Sequence, residues 1–180
     1  MSIWFWADTH FDHANTLNIN HCNRPFETVE EMNEAMVENA NSVVQPNHTL
    51  YTLGDFAFKN HEYWAKQLNG HKHLILGNHD EIKMVEGLFE SISHYKEIKY
   101  NKVKICLMHY ALRTWSAANR GAFHLYGHSH GNLPSYGRSM DVGVDTHDFR
   151  PYHIDEIFEI LSKIDVHEQW MIKGENCGEI

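Results

Sequence analysis

Seven side chains of the kinds that hold divalent metal ions stand in five short blocks of the 180-residue chain: Asp8 and His10, Asp55, Asn78, His109, then His128 and His130. Carboxylate, imidazole and amide oxygen together suit first-row divalent ions of intermediate hardness, and no cysteine stands close by in sequence to build a structural zinc cage. Simple charge counting gives such a centre a use. Two divalent ions bring four positive charges, Asp8 and Asp55 offset two, and a bridging hydroxide offsets a third, so the centre stays positive and attracts phosphate. Two ions about 3.5–4 Å apart orient an in-line displacement at phosphorus, lower the pKa of bound water and stabilise charge on the phosphoryl oxygens. Hydrolysis of a phosphate ester is the reaction this donor set suits. Each residue alone also has a plain structural use: Asp8 in a turn, Asp55 and Asn78 capping helices, His109 as a hydrogen-bonded core histidine.

Each block follows or ends an apolar stretch that reads as a strand. Residues 3–7, 49–53, 73–76, 103–108, 123–126 and 140–144 are strand candidates, and 28–44, 63–68 and 154–161 have helical spacing. Helix and strand alternate early and strands dominate late, which predicts a layered α/β fold with a partly parallel first half and a more antiparallel second half. In an extended segment residues two apart point the same way, so Asp8 and His10 face one ion together, as do His128 and His130. Gly54 and Gly77 allow a sharp turn at a strand end, which leaves Asp55 and Asn78 in the crevice where open α/β sheets bind ligands. Pro46-Asn47 and the stretch 132–137 read as turns, so residues 1–180 are expected to form one domain.

The composition, 42% hydrophobic with 9 Phe, 8 Tyr and 5 Trp, is sufficient for a substantial core. No stretch is long and apolar enough to span a bilayer, and residues 2–7 lack the positive leader and length of a signal peptide, so a cytoplasmic protein is expected. Cys22, Cys106 and Cys177 are odd in number and without CxxC spacing, which predicts free thiols. The formal charge of -9 disfavours long nucleic acid and anionic membrane surfaces as partners, while leaving room for a local positive pocket.

The segments Asp8-Thr9-His10, Gly54-Asp55, Gly77-Asn78-His79-Asp80, His109 and Gly127-His128-Ser129-His130 resemble, in order, the motifs of the calcineurin-like metallophosphoesterases. The stretch Val142-Gly143-Val144-Asp145 with Arg150-Pro151 is similar to the tail of small bacterial and phage members. A lone DxH is weak, whereas the ordered set is specific. The resemblance implies a four-layer αββα sandwich with mixed sheets. It implies that Asp8, His10 and His130 hold one ion, that Asn78, His109 and His128 hold the other, and that Asp55 bridges them. It further implies that a metal-bridging hydroxide attacks phosphorus while His79, its ring fixed by Asp80, protonates the leaving alkoxide. A turn histidine satisfied by a neighbouring carboxylate is the plainer use of His79. Two transition-metal ions are the implied cofactors, manganese first, with iron, zinc or nickel also suited.

Outside that set, Arg24, Arg113 and Arg120 are candidate phosphate donors, with surface ion pairing as the alternative. His13, like Asp12, either reaches substrate or sits in a solvated loop, and Trp115 is either an aromatic shelf or core. The expected activity is phosphodiester hydrolysis on a small phosphate ester or nucleotide. A phosphomonoesterase, a protein phosphatase or a nuclease on short nucleic-acid ends is the alternative, and an inactive metal-binding module a further one.

Overall fold

The apolar runs do become strands, and they pair into two sheets that face each other. A computed structural model of the protein describes residues 2–166; Cys177 lies outside them. In chain order the elements are β1 (Ile3–Trp6), α1 (Val29–Val43), β2 (Thr49–Thr52), α2 (His61–Gln67), β3 (His71–Ile75), α3 (Ile82–Val85), β4 (Ser91–Ser93), β5 (Tyr95–Tyr100), β6 (Val103–Met108), β7 (Phe123–Tyr126), β8 (Ser139–Asp141), β9 (Tyr152–His153) and α4 (Ile154–Leu161). The first sheet has the order β4-β3-β2-β1-β9, parallel except for β9, and the second the order β5-β6-β7-β8.

Strands of the first sheet are apolar on both faces because both are covered. Trp4, Trp6, Leu50 and Leu74 pack outward against Met32, Met36 and Ala40 of α1 and Trp64 of α2. Phe5, Tyr51 and Ile75 face inward, against Ile105, Leu107, Phe123 and Leu125 of the second sheet, with Ile154, Ile157 and Leu161 of α4 joining that core. The spacing of Met32, Met36 and Ala40 is one stripe of a helix, and Thr28 starts it by accepting a hydrogen bond from the Glu31 amide at 3.1 Å. Over the outer face of the second sheet lies the segment 110–122, which puts Trp115, Ala118 and Ala122 on Cys106. This mixed two-sheet α/β sandwich is the fold that the resemblance implied.

One expectation fails. Within the second sheet only β5 and β6 are antiparallel; β6, β7 and β8 run parallel. The connections 109–122 and 127–138 are irregular yet long enough to carry the chain back to the same end of the sheet, and strand patterns give no sign of that. The consequence for the site is direct. Parallel β1, β2 and β3 deliver their carboxyl ends to one edge, β6, β7 and β8 do so in the second sheet, and a bridge between Ala7 and Gly143 joins the two edges, with Val144 N–H donating to Ala7 O at 3.0 Å.

Candidate metal centre

All five blocks lie just beyond those strand ends: Asp8 and His10 after β1, Asp55 after β2, Asn78 after β3, His109 after β6, His128 and His130 after β7. Asp8, His10, Asp55, His128 and His130 have positive φ, between 47° and 67°. Side chains with a Cβ rarely adopt this conformation, at a cost on the order of 1 kcal/mol each, and such strain gathers at functional sites. It also corrects the expected geometry. Asp8 and His10 are not two positions of an extended strand; each is turned inward by a left-handed backbone, held by amide bonds from Asp8 to Gly54 O at 3.0 Å and from His10 to Asp55 O at 2.9 Å.

The donors fall into two groups. One atom each of Asp8, His10 and His130 lie within 4.8 Å of one another, as do one each of Asp55, His109 and His128. Asn78 joins the second group, its Oδ1 lying 3.1 Å from His109 Nε2. Asp55 Oδ2 stands 3.6 Å from His10 Nε2 and 3.5 Å from His109 Nε2, between the groups, while its Oδ1 accepts the His79 amide at 3.0 Å. Among the described residues, buried Asp8 Oδ1 and His10 Nδ1 find no hydrogen-bond partner. Unpartnered buried polar atoms are costly, and here they belong to a carboxylate and an imidazole, so the donor set fits divalent cations. Close approach is built in at Gly77, where a Cβ would collide with Asp55 Oδ1.

Electrostatics agree with a site built for cations. Burial pushes the Asp8 carboxyl well above its ordinary range, and the nearby Asp55 and Asp141 charges add to this, partly offset by His130. Burial, then Arg24 and the neighbouring histidines, holds His10 down at about 2, which keeps the ring neutral and the lone pair of one ring nitrogen free. His128 is likewise lowered, by burial first and by His109 next. His130 runs the other way. Burial opposes its protonation, but hydrogen bonding to Asp145 and Cys22 and the charge of Asp8 raise it to about 10. Its Nδ1 lies 2.7 Å from Asp145 Oδ2 and 3.4 Å from Cys22 Sγ. A carboxylate behind an imidazole fixes which ring nitrogen is free to ligate, and Asp145 has that place here.

Sequence reasoning missed Asp145 and Cys22. A signal for Asp145 existed, since it follows β8 just as the predicted donors follow their strands; Cys22 had none. The expectation for Arg24 is overturned. It is buried, and its guanidinium grips Asp145 through Nε at 2.8 Å and Nη2 at 2.9 Å and donates to the carbonyls of Asp8 and Thr9. Its fifth N–H points to the Met32 sulfur at 3.6 Å, so all five donors are engaged within the protein. Asp80 is corrected as well. Its carboxylate accepts the amides of Gly77 and Asp55, both at 2.8 Å, and of Phe56 at 3.0 Å, so it braces the Asp55 turn where ring fixing was expected. Arg113 is exposed, with its guanidinium 5.1 Å from the Tyr136 ring centre, and does not line the cavity over the donors. His13 does line it, stacked on Phe58 at 3.8 Å, and His79 stands exposed at its mouth. Asp12 ties the loop to α1 and α2 by accepting from Asn33, Asn60 and Trp64, and Trp115 is buried, donating to Ala122 O at 2.9 Å.

No protein-family model matches the chain. The Methanocaldococcus jannaschii protein MJ1445 is 34% identical over 173 residues, covering 89% of this chain and 92% of its own. Gene 66 protein of Mycobacterium phage L5 is 24% identical over 204 residues, covering 92% of this chain and 96% of its own. Among solved structures, the Aquifex aeolicus protein AQ665 shares the fold with a TM-score of 0.72 at 27% identity, over 88% of this chain and 98% of that one. The chain and MJ1445 belong to one family. The motif series is complete and converges at one edge of a two-sheet sandwich, the arrangement that the resemblance to the calcineurin-like metallophosphoesterases implied.

Proposed function

We propose that the protein is a two-metal phosphodiesterase. The division of the predicted donors into two groups that both face Asp55 Oδ2 carries this reading. Asp8, His10 and His130 would hold one ion, Asn78, His109 and His128 the other, and Asp55 both; manganese is proposed, with iron, zinc and nickel as the chemical alternatives. When bound, the ions would supply Lewis acidity toward the phosphoryl oxygens and an activated water. The chain does the rest. The His79 amide fixes Asp55 Oδ1 and so turns Oδ2 to the two groups. The His79 ring, exposed in the cavity lining beside Asn78, would give its proton to the departing oxygen. Asp145 holds His130 and Asp80 braces the Asp55 turn, so the donors need not reorganise during reaction.

A feature of the cavity favours diesters over monoesters. Among the described residues its lining, which includes His10, His13, His79, His128 and His130, holds no lysine or arginine, and Arg24 is committed to Asp145. A dianionic monoester gains most from such side chains, whereas the single charge of a diester needs fewer.

Purified protein is expected to carry about two transition-metal ions per chain and to hydrolyse an aryl phosphodiester with manganese; a metal-free, inactive preparation overturns the reading. His79→Ala should keep the metals and much of the activity on activated aryl esters, yet lose about a hundredfold or more on an alkyl ester. Unchanged alkyl-ester hydrolysis would remove His79 from the acid role.

A further inference from the structure

Beside the donor cavity, on the His79 side, the surface opens into a second depression of about 470 Å³ whose lining includes Phe58, His61, Asn78, His79, Lys83 and Met84. The two openings share Asn78 and His79, which stand at the border between them, so a ligand that fills both passes over these two residues. Its volume falls in the range of roughly 300–1,000 Å³ typical of small-molecule sites.

Phe58 is the unusual residue here. It is 42% exposed although it directly adjoins a polar centre. Its ring stacks on His13 with an interplanar angle of 22° and lies 5.5 Å from the His79 ring. Around this aromatic wall the lining mixes Ala57 and Met84 with polar groups: Lys83, paired with Glu81 at 2.7 Å, and His61, which is only 7% exposed and whose Nδ1 has no hydrogen-bond partner among the described residues. An alkyl or lipid chain would bury those polar groups without replacing their hydrogen bonds. A bare sugar can lay a C–H face on the Phe58 ring but has no planar π-face to stack there. A nucleobase matches both features, since it has an apolar π-face for stacking and an edge of donors and acceptors.

We propose that this depression is a nucleoside subsite: the base lies on Phe58, its edge faces the polar lining, and the attached phosphate reaches the Asp55 centre past His79. The inference rests on the phosphodiesterase reading for the placement of the phosphate. It makes Phe58 the residue that determines preference for the leaving group.

Calorimetric titration of the manganese-loaded protein with the non-hydrolysable methylenephosphonate analogues of adenosine 5′-monophosphate and ribose 5-phosphate tests it. Base stacking on an aromatic side chain is worth roughly fivefold to a hundredfold in affinity, so the adenosine compound should bind at least about fivefold more tightly. Phe58→Ala should bring the two to parity, and Phe58→Tyr should keep the preference. Equal binding to the wild type, a preference that survives Phe58→Ala, or tighter binding of a decylphosphonate overturns the subsite. Hydrolysis of an aryl diester is scored separately. Activity without base preference sinks the subsite and spares the phosphodiesterase, and base preference without activity does the reverse.

Discussion

Asp80 shows how a residue found by motif can do a different job from the one its position implied. Its two oxygens collect three backbone amides at the turn that presents Asp55, and burial pushes its carboxyl upward while those amides pull it down. Asn in its place leaves one of those amides facing an NH2 group, at a cost of about 1–3 kcal/mol for an unsatisfied buried donor. Asp80→Asn should therefore lower Tm and bound metal together, measured by thermal unfolding and elemental analysis. A variant with unchanged Tm and metal but reduced kcat would return Asp80 to the role of holding the His79 ring. His10, Asp55 and Asn78 were legible as donors because the chemistry depends on residue type. The direction in which Asp80 points depends on which amides the fold brings near it.

Among the elements, the long connection from β1 to α1 matters most for the site. It carries Asp8, His10, Asp12, His13, Cys22 and Arg24 with only a 3-10 turn at Ala14–Leu17 for regular structure. Beyond the backbone hydrogen bonds of Asp8, His10 and Phe11 to the segment after β2, it is held by side chains: Asp12 to Asn33 and Trp64, and Arg24 to Asp145 and to the carbonyls of Asp8 and Thr9. Removing one partner of a buried ion pair costs about 3–5 kcal/mol. Arg24→Ala should thus destabilise the protein on that scale in denaturant unfolding and loosen His130 through Asp145. If Arg24 served substrate instead, the variant would unfold normally and show only a raised KM. Strands β4, β5 and β9 had no clear signal in the chain. Ser91–Ser93 and Tyr152–His153 are too short for periodicity, and β5, the edge strand Tyr95–Tyr100, is rich in charge, as edges are when they resist pairing with another chain.

At the scale of the molecule, the site lies where the edges of two sheets meet, and the fold carries its cost. Five left-handed non-glycine residues and a buried, partly unpartnered Asp8 are arranged before any cation binds. Ligands that bind only the folded state stabilise it by mass action; a free ion at about 100 times its Kd contributes about 2.7 kcal/mol. For a protein of this size that corresponds to a rise in Tm of roughly 5–10 °C. Manganese should produce such a shift and a chelator should reverse it, followed by differential scanning fluorimetry. The Asp55→Asn variant should lose most of the shift. A Tm indifferent to metal would mean that the donors do not bind it tightly. Among the described residues no helix is long and apolar enough to cross a membrane.

By itself the sequence determined the donor types, their order, the positions of α1, β1, β2, β6, β7 and α4 to within a few residues, and the class of fold. These follow from local periodicity, from glycine at strand ends and from the chemical identity of side chains. Only the tertiary structure decided that β6, β7 and β8 run parallel, that Asp145 and Cys22 stand behind His130, that Arg24 faces inward, and that Phe58 stays partly exposed beside His79. Each of these is a pairing between residues far apart in the chain. Such pairings are set by how two sheets and a long loop pack together, and no local pattern encodes which distant group a side chain will meet.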